Sequence, residues 1–219
     1  TFDITKLFVG SQGTLGLTTE VQFTLVQPKK HGAVLVVFLK DITKLAEVTE
    51  KVLEKDPESF ESYDDKTMNL ALKFLPSFVK IIGAKNIFSL AWQFRPEFFM
   101  LLTGGKPKLV LLAEFTADTE EEARELAKEA KHHLTGMGLT MRVTRTEQEE
   151  EKYFAVRRES FKLLHSKVKG LTASSFMEDF AVRPEVLPEF LPKLDAILEN
   201  YEKYMVYTVA GHVGDANFH

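Results

Sequence analysis

The chain of 219 residues is 44% hydrophobic, enough to bury a core as one large domain or two small ones. Its 28 Lys and Arg are interspersed with 32 Asp and Glu for a net charge of −4, so no basic footprint points to nucleic acid as a partner. The absence of cysteine excludes disulfides, thiolate metal sites, iron–sulfur ligation and a cysteine nucleophile together, and it fits a cytoplasmic setting, with peripheral attachment to a membrane as an alternative.

Taken in chain order, the residues before Gly10 read as strand-like, and V-Q-F-T-L-V at 21–26 alternates apolar and polar side chains at strand period. Pro28 and the pair Lys29-Lys30 break that pattern. Residues 33–39 form the longest apolar run, the size of a buried central strand and far short of the roughly 18–20 residues of a membrane span. After Asp41, Leu45, Val48 and Val52 fall at helical spacing, Pro57 ends that helix, and 60–63 fits a short strand. Two helices rich in Phe and Leu are predicted over 65–81 and 86–102, and Gly104, Gly105 and Pro107 then break the chain.

The first pattern recurs. Residues 109–115 read as a strand, and Thr119 with Glu122 sets up a capping box. Ala123, Leu126, Ala127, Ala130 and Leu134 line one helical face, which Gly136 and Gly138 end before an alternating strand at 139–143. Strand–helix–strand thus occurs twice, and the short loops predict an α+β fold: a ferredoxin-like antiparallel sheet with helices packed on it. The last third adds a helix at 147–166, a strand at 176–182, a helix at 184–203 and a strand at 205–211.

Three stretches carry chemistry. G-S-Q-G-T-L-G at 10–16 lets the backbone turn sharply, and Gly10, Ser11, Gly13, Thr14 and Gly16 have the composition of a loop that presents N–H and hydroxyl groups to a phosphate. The plainer reading is a turn between two strands. No Gly-Lys-Ser/Thr follows, and a strand pattern stands where a dinucleotide fingerprint needs a helix. G-H-V-G-D-A-N-F-H at 211–219 places His212 and His219 seven apart around Asp215 and Asn217. In a straight strand they face opposite sides, so they converge only if the chain turns, for which Gly214-Asp215 is suited. Two imidazoles suit zinc, manganese or iron, and Asp215 is the carboxylate nearest in sequence, as a third ligand or as support for an imidazole. The alternative is a packed His212 and a frayed His219. In Y-F-A-V-R-R-E-S-F at 153–161, Arg157 shares a helical face with Phe154 and Phe161. An inward arginine needs an anion, either a substrate carboxylate or a local Asp or Glu, whereas Arg158 and Glu159 are expected to be solvated.

Together these stretches resemble known proteins. G-S-Q-G-T-L-G-L-T-T-E is similar to the segment closing the flavin domain of the vanillyl-alcohol oxidase superfamily, with Gln12 where Glu is usual. Phe154 to Arg157, then F-M-E-D-F-A-V, the helix after Pro184 and the closing motif resemble the D-lactate dehydrogenase and glycolate oxidase branch in order and spacing. The resemblance implies FAD as cofactor, a remnant of the FAD-binding domain at 1–28, and a substrate-binding cap domain at 29–219 that is truncated at its C-terminus. It also implies a divalent metal on His212 and His219, with a Glu further along completing the set, and Arg157 on the carboxylate of a small 2-hydroxy acid. His219 and Asn217 become catalytic candidates, His219 as base only if it is not a tightly bound ligand. Partners implied are the FAD-binding domain and an electron acceptor that the sequence does not identify. Ala216 replaces the usual second glycine of the motif, a mild change unless that position needs positive φ. Met177 stands where some relatives carry a lysine, which disfavours substrates needing a second cationic contact. An ether-lipid synthase type of the same superfamily and a stand-alone α+β metal-binding module are the rival readings.

Overall fold

In the computed structural model, residues 3–73, 105–167 and 179–219 are described. After a single-turn helix α1 (Thr5–Phe8), the first strand–helix–strand unit is β1 (His31–Leu39), α2 (Leu45–Leu53) and β2 (Ser59–Asp64), followed by α3 (Asp65–Lys73). The second unit is β3 (Leu109–Ala117), α4 (Glu120–His133) and β4 (Thr140–Val143). Then come α5 (Glu147–Lys167), β5 (Phe180–Ala181), α6 (Leu187–Glu199), β6 (Ala210–His212) and β7 (Asn217–Phe218). The expected helix at 86–102 and the strand residues 176–178 lie outside the described residues.

All strand pairs are antiparallel, in the order β4-β1-β3-β2-β6-β7-β5. The first four strands have the 4-1-3-2 arrangement of the split βαβ unit, as the doubled pattern predicts. The short β6–β7–β5 group then extends the sheet beyond β2. β1 is buried along its whole apolar run because helices cover both faces. Alternate residues divide between the two sides. Ala33, Leu35, Val37 and Leu39 pack with Leu111, Phe115 and the α4 alanines Ala123, Ala127 and Ala130. Val34, Val36 and Phe38 pack with Leu112, and with Leu70 of α3 and Tyr153 and Val156 of α5. The expected α4 cap is present, with Thr119 accepting from the Glu122 N–H. No helix among the described residues is long and apolar enough to cross a membrane.

Several element boundaries differ from expectation. Residues 21–26 form no strand, and Phe23, Leu25 and Val26 are exposed. The alternation is genuine, but a strand needs a neighbour to satisfy its backbone, and none of the described residues supplies one. The strand-like start holds α1 instead. His31 opens β1, two residues ahead of the apolar run. The late strand is confined to Ala210–His212: the ladder with β2 pairs Ser62 with Gly211 and Tyr63 with Ala210, and ahead of it Val209 meets β2 through its carbonyl, which accepts from the Asp64 N–H. The helix after Pro184 stops at Glu199, where Asn200 turns its amide back onto the Ala196 carbonyl. Glu159 is buried rather than solvated: α5 contacts both β1 and α3, so the covered arc of the helix is wider than its aromatic face.

Asp64 ties the site-bearing strand in place. It ends β2, accepts from the Thr67 N–H at 2.8 Å to cap α3, and accepts from the Val209 N–H at 3.0 Å just before β6. Burial pushes its carboxyl up to about 6, against the lowering effect of those donors. The native state therefore holds a proton that the unfolded chain has lost between about pH 4 and 6. Stability falls as pH rises through that window, by on the order of 2 kcal/mol, and levels off above it. Asp64→Asn removes the ionisation but also one acceptor. Urea midpoints at pH 4.5 and 7.5 are expected to be lowered by the substitution at the acid pH and nearly unchanged at the higher one. An equal loss at both would show that Asp64 does not titrate in this window.

Candidate active site

The closing motif folds into a tight hairpin. Gly211 pairs with Phe218 and His212 with Asn217 across β6 and β7, and Ala210 exchanges backbone hydrogen bonds with His219. A single 3₁₀ turn, Val213–Asp215, joins the strands. Directly opposed residues share a face, so His212, Asn217 and His219 project to one side. Phe218, Val213 and Ala216 go into the core on the other. Glycine is obligatory at 211, where an added Cβ would stand 2.2 Å from the Asn217 carbonyl oxygen.

Ala216 closes the turn at φ 49°, in the left-handed region. The change from glycine is therefore not conformationally mild: that backbone costs an alanine about 1–2 kcal/mol. The buried methyl contributes about 0.8 kcal/mol, and glycine would lose about 0.5–1 kcal/mol in chain entropy. The opposing effects nearly cancel, which accounts for alanine here.

The two imidazoles meet as the turn predicts, with ring centroids 5.5 Å apart and planes at 82°. Their carboxylate partners are not the ones the sequence offered. Asp215 is exposed. Instead Glu61, from β2, stands with Oε1 2.7 Å from His212 Nδ1, and Asp179, just before β5, has Oδ1 2.5 Å from His219 Nδ1. Both contacts are ion-pair distances at Nδ1; with the proton there, a neutral ring carries its lone pair on Nε2, the arrangement of a metal-ligating histidine. The β2–β6 register explains the first contact. Ser62 lies opposite Gly211 and Tyr63 opposite Ala210, so the next step brings Glu61 against His212.

Arg157 reaches the same carboxylate from α5, with Nε 2.9 Å from Glu61 Oε2. The approach is within ion-pair distance but too poorly aligned for a hydrogen bond. The arginine thus faces inward as expected, beside partly buried Phe154, and its acidic neighbour comes from a distant strand rather than from its own helix. The Phe161 side chain lies outside the described residues. Asn217 Oδ1 is buried and accepts no hydrogen bond among the described residues, leaving an acceptor beside His212. Neither Glu61 nor Asp179 was read from the sequence. A glutamate inside the buried strand S-F-E-S-Y-D was the available signal for the first.

The glycine loop is exposed, with Gly10 and Gly13 at φ 78° and Gln12 at φ 50°. Its hydrogen bonds close on itself: the Thr14 N–H and hydroxyl both donate to the Ser11 carbonyl, at 2.9 and 2.6 Å. Gly16 belongs to the same exposed stretch, Ser11 is partly buried, and no strand flanks the loop on either side. Among the described residues, no group of three or more His, Asp or Glu is arranged to hold a metal ion.

The ferredoxin-like sheet thus carries the histidine hairpin, the inward arginine and their shared carboxylate on one face. The family model for FAD linked oxidases, C-terminal domain, matches residues 28–219, and the chain belongs to this family. It is 25% identical to a D-2-hydroxyglutarate dehydrogenase of Stutzerimonas stutzeri and 22% identical to glycolate oxidase subunit GlcD of Bacillus subtilis, over its whole length in both cases. A D-2-hydroxyglutarate dehydrogenase of Escherichia coli is 23% identical, again over the whole chain. The chain spans 41%, 40% and 20% of those three relatives.

Proposed function

We propose that this chain is the substrate-binding part of an FAD-dependent enzyme that oxidises a small 2-hydroxy acid to the 2-oxo acid. One observation carries the reading: Arg157 of α5 and the hairpin residues His212, Asn217 and His219, far apart along the chain, gather on one face, with Glu61 against both His212 and Arg157 and Asp179 against His219. The names of the relatives support the substrate class, from glycolate to D-2-hydroxyglutarate. Met177, which bears on a second cationic contact, lies outside the described residues.

Arg157 binds the substrate carboxylate as a fixed planar donor and so sets the direction of the α-carbon. Asn217 Oδ1 accepts from the α-hydroxyl and orients its proton. In the oxidation the hydroxyl proton leaves to a base and the α-hydrogen leaves with its electron pair. His219 is the candidate base when it does not carry a metal. The donor set fits a zinc, manganese or iron ion in part: His212 and His219 supply two imidazoles, and a third ligand belongs outside the described residues. Such an ion would lower the pKa of a coordinated hydroxyl, and FAD would supply the hydride acceptor. Residues 1–28, with the glycine loop at 10–16, would belong to the FAD-binding side, and 29–219 to the substrate side.

The test uses the full-length parent. It is expected to carry FAD, to oxidise one of glycolate, D-lactate or D-2-hydroxyglutarate, and to lose bound metal and most activity in His212→Ala. A flavoprotein whose activity survives that substitution belongs to different chemistry.

A further inference from the structure

Glu61 is an unusual residue for the position it holds. It lies inside β2 between buried Phe60 and Ser62, and its side chain is only 13% exposed. An ionised carboxylate there costs several kcal/mol unless it is partnered. Its two oxygens are divided between the two halves of the site: Oε1 contacts His212 Nδ1 on β6, and Oε2 contacts Arg157 Nε on α5. We infer that Glu61 is a positioning residue that couples the arginine which binds substrate to the imidazole beside it, so that neither half of the site is independent of the other.

The inference rests on the 2-hydroxy-acid reading of the site. Oε1 keeps the proton of His212 on Nδ1 and strengthens Nε2 as a donor. Oε2 places its negative charge 2.9 Å from Arg157 Nε and so holds the guanidinium at that point by charge. Because a single carboxylate serves both, a disturbance on one side changes charge and orientation on the other. A glutamine cannot replace it. The amide oxygen serves one partner, while the NH₂ turns a donor toward the other, where a donor already stands. Glu61 touches neither substrate nor cofactor in this account, and it acts through Arg157 and His212.

The experiment uses the full-length holoenzyme, with Zn²⁺ and Mn²⁺ affinity measured by chelator competition and KM and kcat measured with glycolate and D-2-hydroxyglutarate. Glu61→Gln is expected to weaken the metal by about 10–100-fold and to raise KM at the same time, with the thermal midpoint and flavin content retained. A purely structural residue would lower the midpoint without this paired loss. The second arm leaves Glu61 intact. Arg157→Lys, which changes the substrate side only, is expected to shift metal affinity by threefold or more through the shared carboxylate, so the inference stays testable should Glu61→Gln fail to fold. If Arg157→Ala and His212→Ala abolish activity while Glu61→Gln and Arg157→Lys leave metal affinity unchanged, the coupling is refuted and the assigned function stands. If Arg157→Ala and His212→Ala are themselves harmless, the functional reading falls and takes the coupling with it.

Discussion

Arg157→Ala in the full-length protein is expected to lower kcat/KM for a 2-hydroxy acid by about 10²–10³. Removing one member of a largely desolvated charge pair costs about 2–5 kcal/mol, and each 1.36 kcal/mol is a factor of ten. In the proposed function the substrate carboxylate would be bound before and during hydride departure, so most of the loss would belong in KM. A smaller part belongs in kcat, because a substrate held at one end only no longer aligns its α-hydrogen. The substitution also leaves Glu61 without its cation on the α5 side, and Glu61 is largely buried. Arg157→Lys should recover little, since a point charge does not reproduce a planar fork. Steady-state kinetics on the three candidate acids decide this. A variant with unchanged KM for all of them would remove Arg157 from the substrate site.

Gly211→Ala is expected to be the most damaging small substitution in the chain. The new methyl would lie 2.2 Å from the Asn217 carbonyl oxygen and 2.7 Å from Phe218 Cα. Both are backbone atoms of the paired strand and cannot rotate away, so β6 and β7 must separate. Overpacking alone costs about 1–3 kcal/mol, and separation also loses strand hydrogen bonds worth about 1 kcal/mol each. A fall of about 2–4 kcal/mol in denaturant stability should accompany loss of the metal proposed for the two histidines, since the hairpin sets the geometry of both. Gly214→Ala is the control. Its closest contacts, Leu53 Cδ2 and Phe60 Cβ, lie at 3.3 Å, so the new methyl asks for a shift of tenths of an ångström rather than separation of two paired strands. Equal stability losses at 211 and 214 would contradict the backbone-collision account.

What the sequence made legible follows from where information is local. The apolar run of β1, the alanine face of α4 and the return of the same pattern at β3 are short-range periodicities, and each appears as an element close to its expected bounds. The convergence of His212 and His219 was readable because Gly214 and Asp215 mark the turn that brings them together. Residues 21–26 show the limit of such reasoning: strand period is necessary for a strand, but pairing makes one. Glu61 and Asp179 mark a second limit. They lie far along the chain from the histidines they touch, and only the β2–β6 register and the approach of β5 to β7 bring them there. The sequence supplied Asp215 as the neighbouring acid because proximity along the chain was the only measure it offered.

The most direct test of the account is anaerobic reduction of the flavin in the full-length protein, followed by its absorbance after mixing with glycolate, D-lactate or D-2-hydroxyglutarate. At least one acid is expected to bleach the flavin of the wild type within seconds, and the double variant Arg157→Ala/His212→Ala to keep its flavin oxidised at the same concentration. Bleaching of the double variant at the wild-type rate would place the chemistry on other residues and contradict the proposed site.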